Sequence, residues 1–234
     1  NDWQDAVRRT YLPQITDLQM ARQFSKPVLT EEKSTGTVHV SPAISPDGSQ
    51  VAYFSEGSTF FFDLYLADAE NGRVKRRLTK SAFSSSLESL RFLTSAGSWS
   101  SDGRYFAISA QHNGVDDLVI FDIKRHREDQ RIKVPLDGVA NPTWSPDGKR
   151  MVFTGYKGGW TDLYMVNVDG TNMERLTNDR YADLLPSWSP DGQTIAFATD
   201  RDPPTDVKNL KYGPPKIALY HLDSHGVEVL PGMT

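Results

Sequence analysis

Four near-copies of one tetrapeptide constrain this chain more than any other feature. Ser45-Pro46-Asp47-Gly48 returns as Ser100-Ser101-Asp102-Gly103, Ser145-Pro146-Asp147-Gly148 and Ser189-Pro190-Asp191-Gly192, with Asp-to-Asp steps of 55, 45 and 44 residues. Pro pre-sets φ for the first corner of a type I turn, Asp suits the second, and Gly accepts the positive φ that follows. Such a turn joins neighbouring antiparallel strands. The Asp and Gly residues are therefore read as turn chemistry, not as catalytic carboxylates.

The text between the turns keeps phase with them. Trp99, Trp144 and Trp188 each stand three residues before the turn Asp, and Ile44 holds that place in the first copy. Asp63, Asp117 and Asp162 follow the turn Asp by 16, 15 and 15 residues. Each opens a strand-like run: Leu64-Tyr65-Leu66, Leu118-Val119-Ile120 and Leu163-Tyr164-Met165. Arg77-Leu78-Thr79 and Arg175-Leu176-Thr177 close two of the units. Four short strands in about 45 residues is the period of a propeller blade. The Trp/Ile position is expected to pack between blades.

Trp-Ser-Pro-Asp-Gly, a Val/Ile-Ala/Val-Phe strand, Asp-Leu-Tyr, Asp-Gly and Arg-Leu-Thr together resemble the WD-repeat-like β-propeller repeat of the TolB family, over residues 38–234. The Gly-His and Trp-Asp dipeptides of WD repeats proper do not occur in this sequence. The expected fold is all-β, with four-stranded blades over 36–79, 95–136, 140–177 and 185–230 of a propeller region at 36–234. The resemblance implies six blades and four are visible. The chain is then a part of a longer protein, or a four-bladed or open propeller.

Residues 1–35 are different text and read as a helical arm and linker. Trp3, Ala6, Val7 and Tyr11 recur at helical spacing before Pro13, and Asp17–Phe24 reads as a second short helix. Asp2-Trp3-Gln4-Asp5-Ala6-Val7-Arg8-Arg9 resembles the closing helix of gluzincin-like domains that precede TolB-like propellers in some bacterial proteins. From the residues alone, the arm caps or latches the propeller.

Composition narrows the function classes. A formal net charge of −4 gives no electrostatic footprint for nucleic acid. Zero cysteines exclude disulfides and thiol catalysis. No apolar run reaches the ~18 residues of a membrane-spanning helix, and the start has no cationic, apolar signal-peptide pattern. There is no His-Glu-x-x-His, Gly-x-Ser-x-Gly or phosphate-binding glycine loop. His39, His112, His126, His221 and His225 are scattered over different blades or turns. The chain is expected to be no enzyme and to need no cofactor or metal.

Function is expected at the long, variable loops, which a propeller gathers at the end opposite its short turns. Aromatic and Arg side chains at loop tips are the usual anchors of protein interfaces. The candidates are Phe60 and Phe61 beside one loop, Tyr156 and Trp160 flanking Lys157-Gly158-Gly159, and Arg180 and Tyr181 between blades three and four. Lys208 and Tyr212 lie in a four-proline insertion at 200–215, and Trp3 and Tyr11 on the arm. Asp179 and Asp183 have the oxygen chemistry for a hard cation, but the alternate acidic positions of a calcium loop are missing, and capping of backbone amides is the favoured reading.

The resemblance implies a non-catalytic protein-binding scaffold or accessory subunit of a larger, membrane-bound complex in the bacterial envelope, periplasmic or secreted. The alternative is the propeller portion of a larger secreted hydrolase or metallopeptidase whose catalytic domain lies outside this sequence. A third reading, a small-ligand or sugar-binding propeller, requires a polar, aromatic-lined central pocket.

Overall fold

The computed structural model describes residues 5–7, 9–10, 25–30, 32–33, 36–58, 61–80, 89–90, 95–201 and 203–231. Residues 5–7 and 9–10 are helical and nearly all other regular structure is strand. The predicted helix at Asp17–Phe24 lies outside the described residues, as do Trp3, Tyr11 and Phe60.

Blade one is β1 (His39–Ile44), β2 (Gln50–Ser58), β3 (Phe61–Asp68) and β4 (Val74–Arg77). Blade two holds β5 (Ser89–Leu90), β6 (Ser98–Trp99), β7 (Tyr105–His112), β8 (Val115–Asp122) and β9 (Arg127–Lys133). Blade three is β10 (Gly138–Trp144), β11 (Arg150–Lys157), β12 (Trp160–Asn167) and β13 (Glu174–Arg175). Blade four is β14 (Asp183–Trp188), β15 (Thr194–Thr199), β16 (Lys216–His221) and β17 (Gly226–Val229). Each blade is an antiparallel meander in chain order. In blade two the first strand is split, because both β5 and β6 pair with β7.

The repeated turns form because each Ser and Asp side chain closes its own corner. The Ser45, Ser100, Ser145 and Ser189 hydroxyls donate to Asp47, Asp102, Asp147 and Asp191 at 2.5–2.6 Å. Each Asp then accepts the backbone N–H two residues on. Gly48, Gly103, Gly148 and Gly192 have φ between 67 and 72°.

A second local rule shapes the first strand of three blades. Ser41, Asn141 and Leu185 have φ of 51, 52 and 56°, and each directly precedes a proline: Pro42, Pro142 and Pro186. The register slips there, between Val40 and Ala43, Ala140 and Thr143, and Leu184 and Ser187. A proline cannot donate to a strand ladder, and a bulge is where none is asked of it.

Blades pack face to face. Ala52, Phe54, Leu64 and Leu66 of blade one meet Phe106, Ile108, Val119 and Phe121 of blade two in one apolar cluster. Val152, Leu163 and Met165 of blade three meet Ile195, Phe197, Ala218 and Tyr220 of blade four. Trp99 Nε1 donates to the Ala43 carbonyl at 2.9 Å and Trp188 Nε1 to the Thr143 carbonyl at 3.3 Å, so both indoles stitch a blade to its predecessor. Ile44, at the same place in blade one, is 63% exposed.

Blade one's free face is covered instead by the segment before the propeller. Leu29 packs on the cluster of Tyr53, Tyr65 and Ala67. A Cβ on Gly72 would lie 1.7 Å from the Val28 carbonyl oxygen, so only glycine admits this segment. At the far side of blade four, Ile217 takes the place that Leu163 holds in blade three, one residue after the position opposite Thr199, and it is exposed.

Candidate functional site

The in-phase aspartates build a clasp across each of the first three blades. Asp63, Asp117 and Asp162 pair in register with Ser55, Ala110 and Gly155. Arg77 and Arg175 each donate to their Asp at 2.6 Å, and Arg131 to Asp117 at 3.5 Å. The hydroxyls of Thr79 and Thr177 accept the N–H groups of Leu64 and Leu163. In blade four the same register position, opposite Thr199, is Lys216. The clasp is absent there, and the long insertion begins.

That insertion is moored differently. Arg201 donates to Asp183, to Asp179 and to the Thr199 hydroxyl. Asp183 is fully buried, and burial pushes its carboxyl above the ordinary carboxylate value. Asp179 also accepts Tyr181 N–H at 2.9 Å, and Asp200 accepts Ala182 N–H at 2.8 Å. The Arg201 guanidinium lies 5.7 Å from the Tyr181 ring centroid and 5.5 Å from that of Phe197. The carboxylates considered for a cation are thus drawn together by an arginine and by backbone amides.

The insertion itself is a compact loop. Asp206 caps a 3₁₀ turn over Val207–Asn209, Asp206 and Lys211 form a backbone bridge, and the Thr205 hydroxyl accepts Gly213 N–H at 2.8 Å. Leu210 ends the turn in the left-handed region, φ 54°, and is 72% exposed. Tyr212 is 63% exposed.

Facing it is the β11–β12 hairpin. Lys157 pairs with Trp160 around Gly158-Gly159, whose φ values of 58 and 84° suit a two-residue turn of primed type. Gly158 N–H donates to Asp137 at 2.6 Å and Lys157 Nζ to the Pro135 carbonyl at 3.2 Å, which ties the tip to the connection before β10. Trp160 is left 43% exposed, while Tyr156 is half-buried and burial raises its phenol.

Hairpin, inter-blade linker and insertion line one groove, which brings together Trp160, Arg180, Tyr181 and Tyr212 with Asp200 and Gly159. Lys208 lies in the same insertion, and Tyr156 on the same hairpin. Trp3, Tyr11 and Phe60 lie outside the described residues, and of Phe61 only the backbone, in β3, is described. Sequence reasoning missed Leu210, whose signal was an apolar residue between Lys208 and Lys211, and Arg201, whose carboxylate partners Asp179 and Asp183 lie 22 and 18 residues back along the chain.

The histidines are dispersed. His39 contacts the buried Ser55 hydroxyl, His225 the Tyr220 phenol and His221 the Glu228 carboxylate. Ser55 donates to the Val38 carbonyl. Among the described residues no group of three His, Cys, Asp or Glu side chains is placed to hold a metal, and no helix is long and apolar enough to cross a membrane.

Antiparallel meander blades, with short turns at one end and divergent loops at the other, define a β-propeller whose loop end carries the groove. The chain belongs to the TolB beta propeller domain family, whose model matches residues 87–213. It is 28% identical over 188 residues to an uncharacterized protein of Agrobacterium fabrum, covering 80% of this chain and 59% of that one. It is 33% identical over 103 residues to the Tol-Pal system protein TolB of Anaeromyxobacter dehalogenans, covering 43% of this chain and 23% of that protein. The chain thus spans less than two thirds of either relative. A solved structure from Agrobacterium tumefaciens assigned as TolB superposes with a TM-score of 0.67 at 26% identity, over 84% of this chain and 66% of that one. TolB from Acinetobacter baumannii shares the fold, with a TM-score of 0.63 at 24% identity, over 82% and 43%.

Proposed function

We propose that this propeller is a non-catalytic protein-docking module of the bacterial envelope, working in the periplasm as a scaffold or accessory subunit of a larger complex. The observation that carries the reading is the groove of Trp160, Arg180, Tyr181 and Tyr212, mounted on tied-down loops at the variable end. Exposed aromatic and Arg side chains held by a rigid framework are what interface hot spots consist of. The relatives named as Tol-Pal system TolB support an envelope setting and protein partners.

The test is photo-cross-linking from position 212, with a benzophenone side chain in place of Tyr212, in intact envelope. A discrete cross-linked partner should form, and Trp160→Ala with Tyr156→Ala should weaken its association by about 2 kcal/mol or more. Asp147→Arg on the opposite, short-turn end should leave it unchanged. The reading fails if the Asp147 variant breaks the complex and the Trp160 variant does not.

A further inference from the structure

We propose that the short-turn end of blade two binds a phosphate monoester group, at a site separate from the groove of the loop end. A shallow cavity there is lined by Arg104, Asp122, Lys124 and Arg125, three cations and one carboxylate. Asp122 ends β8 and is fully buried. Its Oδ1 accepts the Arg125 backbone N–H at 2.8 Å. Its Oδ2 lies 3.2 Å from Arg104 Nη2 and 3.7 Å from Arg125 Nε, so one oxygen gathers two exposed guanidiniums. Lys124 is exposed and makes no ion pair among the described residues. Arg127, opposite Asp122 in the β8–β9 pairing, is a fourth exposed cation on this turn. Asp129 stands 3.8 Å from Arg125 Nη1. Asp129 and Asp102 keep their charge, but they line the adjoining cavity and not this one. The lining itself is left at a net +2.

The fold does not ask for these cations. One backbone bond recurs at this turn in every blade: Ile123 N–H donates to the Arg104 carbonyl, as Ala69 does to Ser49, Val168 to Lys149 and Leu222 to Gln193. Counted from that bond, the place of Lys124 is taken by Glu70, Asp169 and Asp223 in the other blades, and that of Arg125 by Asn71, Gly170 and Ser224. Three blades thus make the turn with an acidic residue and then a neutral one, and blade two alone makes both cationic. Two guanidiniums and an ammonium around one carboxylate repel one another, and a bound dianion relieves that repulsion. A phosphate monoester carries about −1.5 to −2 near neutral pH, which matches the lining, and its three acceptor oxygens suit the N–H forks of two arginines. A carboxylate or a phosphodiester brings a single charge and leaves the lining half compensated.

The experiment is an amide NMR titration of the full chain with glycerol 3-phosphate, the tripeptide Gly-phosphoserine-Gly, dimethyl phosphate and acetate. The two monoesters should shift the amides of Arg104 and of residues 123–127 saturably. Dimethyl phosphate and acetate should bind about tenfold more weakly or not at all. The tighter monoester tells a free ester from a protein-borne one. Binding should weaken below about pH 6, where the monoester takes up its second proton. Lys124→Asp with Arg125→Gly, the pair that blade three carries at these places, should weaken binding about tenfold or more and leave the other amides in place. Arg104→Gln, which copies Gln193 of blade four, is a second variant should the first disturb the turn. Equal shifts from monoester and acetate, no saturation, no loss in either variant, or binding of phosphatidylglycerol vesicles without either monoester would each overturn the proposal.

Discussion

Arg201 Nη2 donates to Asp183 Oδ2 at 2.8 Å, joining the base of the long insertion to the first residue of its own blade's inner strand. The arginine is 8% exposed and the aspartate fully buried. Removing one partner leaves a buried charge uncompensated, whereas removing both does not. Arg201→Leu should therefore cost about 3–5 kcal/mol, and Arg201→Leu combined with Asp183→Leu should recover much of that loss. Urea midpoints of the two variants decide it, and a single-variant loss below about 1 kcal/mol would mean that the pair is solvated.

Glycine substitutions should separate backbone strain from steric exclusion. Gly148 and Gly192 have φ of 69 and 70°, and a Cβ on Gly148 meets nothing within 4 Å. Valine at either position should cost about 1–2 kcal/mol through the backbone alone. Gly72→Ala should cost more, and should free residues 25–30 from Tyr53, Tyr65 and Ala67, since its Cβ would overlap the Val28 carbonyl. Melting curves give the order, and hydrogen exchange across 25–30 should rise in the Gly72 variant only.

Acid should loosen the turns. The Ser45 hydroxyl, with the amide and hydroxyl of Ser49, holds the Asp47 carboxyl at about 2, below its ordinary 3.8. Asp102, Asp147 and Asp191 are lowered too, first of all by Ser100, Ser145 and Ser189. A carboxyl lowered by folding contributes stability that is present above the unfolded value and lost as pH falls through the folded one. Asp162 and Asp183, raised by burial, act in the opposite sense, and their contribution fades as pH rises through their folded values. Asn at the four turn positions should thus flatten the fall in stability between about pH 4 and pH 2, measured by denaturant titration at stepped pH.

Leu185 should be improvable. It occupies the left-handed bulge position at φ 56° and is 59% exposed. In blade three the equivalent residue is Asn141, whose side chain accepts Ala96 N–H at 3.0 Å, linking two blades. Leu185→Asn should raise stability by about 1 kcal/mol, because Asn tolerates this conformation. A lower melting temperature would show that the exposed leucine makes a contact worth more than its strain.

Turn chemistry and strand periodicity are local, so the four turns and the propeller class were legible in the residues themselves. Ser, Asp and Gly within one tetrapeptide satisfy one another's hydrogen bonds, and no distant partner is needed. Asp63, Asp117 and Asp162 could be seen to recur, but not why. Their Arg partners lie on the neighbouring outer strand, 13 or 14 residues on. Pro42, Pro142 and Pro186 could be read as strand ends, and only the pairing register revealed bulges inside strands.

The candidate site divides the same way. Trp160, Arg180, Tyr181 and Tyr212 could each be picked out as aromatic or cationic loop residues, since exposure at a loop tip is a local expectation. Their meeting in one groove depends on how blade three packs on blade four through Val152, Leu163, Ile195 and Phe197. The closure of Arg201 on Asp179 and Asp183 depends on it too. The sequence by itself determined the repeat, its turns and its blades, because those rest on neighbours along the chain. Tertiary structure alone decided which loops share a surface and which charges remain unpaired, because both are set by contacts between blades.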